Sequence, residues 1–69
     1  MDMSDEFVNV LTTSSVVEGE LARGRLESEG IPALLKGEGL DAPYPTGPVY
    51  LSVPASFEAR ARELLEESN

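Results

Sequence analysis

The segment SVVEGELARGRLESEGIPA, residues 15–33, carries a helix, its start, its stop and the beginning of a strand. Ser15 and Glu18 have the spacing of a capping box, in which each side chain satisfies a backbone N–H that the first helical turn leaves free. At the other end Gly30 supplies the left-handed residue that closes a helix at about Glu29, and Pro32 prevents the helix from resuming. A helix up to Glu29 followed at once by a strand is therefore expected.

Within that helix the apolar and small residues fall on two lines, Val16-Gly19-Ala22-Leu26 and Val17-Leu21-Gly24-Ser28, each with spacings of three or four. The spacing predicts that they are the two flanks of one broad buried stripe; the alternative is that the second line meets a partner chain. Gly19 and Gly24 each cost about 1 kcal/mol relative to Ala in a helix interior, so both are expected to mark close approaches of backbone.

Outward from this segment, residues 7–12 (FVNVLT) are rich in apolar and β-branched side chains and read as a first strand. Val8 and Val10 share one face, and Phe7 and Leu11 share the other with Asn9 between them, so neither face is marked as the solvent side. Residues 33–36 read as a short second strand. Residues 49–53 alternate strictly, with Val49, Leu51 and Val53 inward and Tyr50 and Ser52 outward. Between them residues 37–48 (GEGLDAPYPTGP) are too long and too rich in Gly and Pro for a tight hairpin. Beyond Pro54, the positions of Phe57, Ala61, Leu64, Leu65 and Ser68 define an amphipathic second helix, with Glu58, Arg62 and Glu66 paired at i, i+4 on its far side.

The order strand, helix, strand, strand, helix restricts the topology. A helical crossover lets strands 1 and 2 lie parallel, and its right-handedness places the helix on one face of the sheet. With strand 3 returning between them, the sheet order is 1-3-2 and both helices cover the same face. The expected fold class is α+β: a β-α-β-β-α, ferredoxin-like split unit that lacks a fourth strand.

Several pieces together resemble a known family: Val17-Glu18-Gly19-Glu20-Leu21 in the first helix, Leu26-Glu27-Ser28-Glu29-Gly30-Ile31-Pro32-Ala33 at its end, residues 49–54 in the third strand, and Ala59-Arg60-Ala61-Arg62-Glu63-Leu64-Leu65 in the last helix. The chain is similar over nearly its whole length to the small bacterial proteins described as putative prokaryotic signal-transducing proteins, a family of unknown function. The resemblance implies a PII-like, ferredoxin-like fold. Some relatives carry a Cys-rich zinc-binding tail after the domain, which has no counterpart in this sequence. A signalling role follows from the resemblance only by analogy of fold.

At 69 residues the chain has room for one domain, residues 7–69, preceded by a flexible acidic tail at residues 1–6. It has no Cys and no His, so neither a disulfide nor a thiolate or imidazole metal site braces this small core, and self-association is expected. The start of the chain is acidic where a signal peptide needs a basic region and an apolar run, and no segment approaches the roughly 20 apolar residues of a membrane span. A cytoplasmic location is the expectation.

The formal net charge of −8 weighs against nucleic acid and anionic membranes as partners, because phosphate binding draws its affinity from clustered Lys and Arg. Catalysis has little to work with. Ser14 and Ser15 have no His or nearby Lys to activate them, and capping accounts for them. Pairs such as Glu27/Glu29 and Glu66/Glu67 sit on helix surfaces, where raised carboxyl pKa values are not expected. Gly37-Glu38-Gly39 lacks the Lys and Ser/Thr of a phosphate loop. Glu38 and Asp41 read as solvated acids, since two carboxylates do not make a calcium loop. No enzyme activity, metal or cofactor is expected.

What remains is a regulatory or protein-interaction module. Strand 1 occupies the edge where a fourth strand would pair, so it is free to bind a protein partner or a second copy as a homodimer, aided by the 37–48 loop. The candidate contact residues are Phe7, Asn9 and Leu11 on strand 1, Leu40, Asp41 and Tyr44 in the loop, and Tyr50 on the outward side of strand 3. The alternative is a PII-like sensor that holds a small, non-phosphate metabolite at the 37–48 loop.

Overall fold

A computed structural model describes residues 6–37, 40 and 47–67. Its elements are β1 (Phe7–Thr13), α1 (Val16–Ser28), β2 (Leu34–Gly37), β3 (Val49–Pro54), a 3-10 turn (Ala55–Phe57) and α2 (Glu58–Glu67). The sheet has the order β1-β3-β2, and both outer strands run antiparallel to β3, which makes β1 and β2 parallel to each other. This is the α+β, ferredoxin-like split arrangement expected from the order of elements. The tail expectation for residues 1–6 lies outside the described residues except at Glu6, whose carbonyl accepts from Ala55 N at 2.7 Å.

α1 begins at Ser15, whose extended backbone and hydroxyl make it the N-cap: Oγ accepts from Glu18 N at 3.1 Å. The return half of the expected capping box is replaced. Thr13 Oγ1 accepts from Ser15 N at 3.1 Å and donates in turn to Glu18 Oε1, so a hydroxyl stands between the two members of the box. The helix ends as its sequence foretells. Gly30 has φ 82°, Ile31 N donates to Leu26 O and Gly30 N to Glu27 O, each at 3.0 Å. That pair of bonds is a Schellman motif, and it lets Ile31 and Leu26 join the core together.

The core lies on one face of the sheet. Val49, Leu51 and Val53 of the central strand are each 0% exposed, in agreement with the alternation of that segment. Leu26 of α1 and Ala61 and Leu64 of α2 pack with Leu51 and Val53 in one cluster, so both helices cover the same side. Gly19 makes the close approach expected of it, because a Cβ there would stand 3.0 Å from both Leu35 Cδ1 and Val49 Cγ2. Gly24 does not: a Cβ there would meet nothing within 4 Å.

The two lines of α1 are also not flanks of one stripe. Gly19 and Leu26 are buried, while Val17 and Leu21 of the second line are 66% and 71% exposed. With 3.6 residues per turn, the second line projects from the side of the helix away from the sheet.

Candidate interaction surface

The strand order leaves β1 with no strand on its outer side among the described residues. The edge is interrupted. Its register against β3 pairs Val8 with Val53 and Asn9 with Ser52, then resumes at Leu11 opposite Leu51, so Val10 is an inserted residue and the strand carries a β-bulge. Alternation across the insertion is broken. Leu11, opposite the buried Leu51, turns to the helix-covered side, where Val8, Val10 and Leu11 all pack against the core. The sequence expectation that Phe7 and Leu11 share the second face is therefore corrected by one extra residue.

Asn9 organises the bulge. Its Oδ1 accepts from Leu11 N at 3.3 Å and its Nδ2 donates to Thr12 Oγ1 at 2.8 Å, a side chain standing in for the missing ladder partners. Arg62 of α2 reaches down to the same place: Nη2 donates to the Asn9 carbonyl at 3.1 Å, while Nε holds Glu58 Oε2 at 3.1 Å. Between this edge and α2 lies an open cleft of about 210 Å³, lined by Val10, Leu11, Arg62, Leu65 and Glu66. Its walls are apolar at the sheet and the Leu65 side, with one cation and one anion on the rim.

The other candidate residues scatter. Phe7 is exposed on the outer face of the sheet opposite Pro54, and Tyr50 is exposed on the same face between Thr12 and Lys36. Their two rows are four steps apart along β3, from Tyr50 to Pro54, about 13 Å of strand. Leu40 is exposed, and Asp41 and Tyr44 lie outside the described residues, as does Glu38. Leu34, 42% exposed beside Ser52 on the outer face, and Leu65 in the cleft belong to these surfaces but are not among the contact residues expected from the sequence. Each is an apolar residue next to another, so a helical or strand period cannot say which of the two is covered.

Elsewhere the charges pair locally on the surface. Arg23 Nη2 meets Glu20 at 2.8 Å and its Nη1 meets Glu27 at 3.4 Å. The hydrogen bond to Glu20, followed by the charges of Glu20 and Glu27, raises the Arg23 guanidinium above its ordinary value. Arg25 to Glu67 and Arg60 to Glu29, each at 3.7 Å, link the two helices. Among the described residues there is no group of three or more metal-ligating side chains, and no helix is long and apolar enough to cross a membrane.

A parallel pair of strands bridged by a helix, a third strand between them and a second helix on the same face define a small α+β domain of the ferredoxin-like split type. Residues 7–69 match the family described as putative prokaryotic signal transducing protein, and the chain belongs to that family. No curated protein and no solved structure matches it.

Proposed function

We propose that this domain is a non-catalytic regulatory module that receives an extended segment of a protein partner along the outer edge of β1. The observation that carries the reading is the juxtaposition of a strand edge, unpaired among the described residues, with an open cleft under α2 whose apolar walls are rimmed by Arg62 and Glu66. Backbone groups along an open edge supply affinity to a strand, and pockets beside it select alternate side chains. Val10, Leu11 and Leu65 suit an apolar side chain at the centre of the segment. The net charge of −8 favours basic residues at its ends. A signalling family fits this use, since a small domain can transmit a signal by whom it holds.

The reading is tested with a panel of short synthetic peptides of alternating Val and Thr with Lys at both ends, each made with and without one inserted Gly at its centre to match the bulge at Val10, added to the isotopically labelled protein. Amide shifts and slowed exchange confined to residues 7–13 and the α2 positions 62–66 support it. Shifts elsewhere, or none at millimolar peptide, exclude it. A metabolite panel run beside the peptides covers the sensor reading of the 37–48 loop.

A further inference from the structure

α1 is apolar on two opposite sides. Gly19 and Leu26 face the sheet, whereas Val17, Leu21, Gly24 and Ser28 lie within a sector of about 60° on the opposite side of the helix. Val17 is 66% and Leu21 71% exposed, and the space over Gly24 is empty to 4 Å. Their spacing of four, three and four is that of the a and d positions in a helix pair. An outward seam of this kind on a helix whose other exposed positions carry charges of both signs is not required by the fold of the single chain.

We infer that this seam binds the same seam of a second copy, with the two α1 helices antiparallel about a two-fold axis between Leu21 and Gly24. Shape selects this arrangement. Antiparallel pairing seats each Leu21 in the notch over Gly24 of the other copy and sets Val17 against Ser28, so large meets small in every layer. A parallel pair places Gly24 on Gly24 and Ser28 on Ser28 and leaves that half of the seam hollow, without contacts.

Charge selects it as well. The residues flanking the seam on one side are Glu18 and Arg25, and antiparallel packing brings Glu18 of each copy to Arg25 of the other, giving two opposite-charge pairs by symmetry. On the other side Glu20 and Glu27 face each other across the axis, but Arg23 sits between them in each copy, 2.8 Å from Glu20 and 3.4 Å from Glu27, and offsets the repulsion. Arg25 is held only loosely by its own chain, 3.7 Å from Glu67, and is 40% exposed along its side chain. The repulsion between two chains of charge −8 acts over longer distances, where a Debye length of about 8 Å at physiological salt screens it. Four layers make a small interface, so the dimer is expected to be weak and reversible. It uses a different face from the β1 edge and leaves that edge open.

Sedimentation equilibrium over about 10 to 500 µM spans the range expected of such an interface. The wild-type chain should shift from monomer toward dimer, and Leu21→Glu should remain monomeric throughout with an unchanged melting curve in dilute solution. Orientation is read from cysteines, which the natural chain lacks. On oxidation, an equimolar mixture of the Leu21→Cys and Gly24→Cys variants should give mainly the mixed disulfide between the two. A wild-type chain that stays monomeric at the highest concentration, a dimer that survives Leu21→Glu, or disulfides mainly between like variants would each overturn the proposal.

Discussion

Arg62 Nη2 donates to the backbone carbonyl of Asn9 at 3.1 Å, across 53 residues of sequence, and so fastens the bulge of β1 to α2. The same guanidinium is braced by Glu58, which fixes its direction. Arg62→Ala should cost about 1 kcal/mol, below the usual range for a charge-assisted hydrogen bond because the group is exposed. Urea denaturation reads the loss of stability, and faster exchange of the Leu11 and Thr12 amides shows that it arises at the edge. Arg62→Lys should recover only part of it, having no planar fork to serve Glu58 and Asn9 together.

Thr13 stands where a capping box has no intermediary. Replacing Thr13 with Val keeps the shape of this half-buried side chain but leaves Ser15 N without its acceptor and Glu18 without its donor. A loss of about 1 kcal/mol is expected, comparable to removal of a helix cap, with Thr13→Ser close to wild type in the same thermal melts.

Three glycines should respond in three ways to replacement by Ala. At Gly24 the Cβ meets open space, so the dilute monomer should gain up to about 1 kcal/mol from helix propensity alone. Gly30 has φ 82°, and Ala there should cost about 1 kcal/mol. Gly37 combines φ 153° with a Cβ position 2.7 Å from Val49 Cα and closer still to the Pro48 carbonyl oxygen. Because the obstruction is backbone, Gly37→Ala should be the most damaging of the three, and equal effects at positions 24 and 37 would contradict the structure.

Leu51 and Leu34 offer a direct comparison between the two faces of the sheet. Leu51 is 0% exposed at the centre of β3, and Leu51→Ala should cost about 2 to 5 kcal/mol. For a chain of this size that is a large part of the total stability, so the variant is expected to be unfolded or nearly so by circular dichroism at 37 °C. Leu34, 42% exposed on the uncovered face, should change stability by about 0.5 kcal/mol or less.

The parts legible in the sequence are those governed by local chemistry. Ser15, Gly30 and Pro32 mark the limits of α1 because caps and left-handed turns depend on a few neighbouring atoms, and Val49, Leu51 and Val53 mark the inner face because a central strand allows no ambiguity. The bulge at Val10 was not legible: a period of two presumes no insertion, and only the Asn9-Val10-Leu11 sequence, a turn-prone amide before two apolar residues, hinted at one. The fate of the second line of α1 was equally closed to pattern. Spacing identifies lines on a helix but cannot tell which is covered when both are apolar, and the answer depends on Leu35 and Val49 approaching Gly19 rather than Gly24. As for the candidate contacts, the edge was found from topology, whereas Leu65 enters the cleft only because α2 overhangs β1.

The single inserted residue in β1 also bears on what the chain refuses. An uninterrupted strand of seven residues at a sheet edge is a template on which any extended polypeptide can grow, copy upon copy. Val10 divides that template into runs of three, residues 7–9 and 11–13, each shorter than the six or seven residues that stack into fibrils. A ligand segment must therefore be kinked to match, and the edge can stay bare without inviting polymerisation.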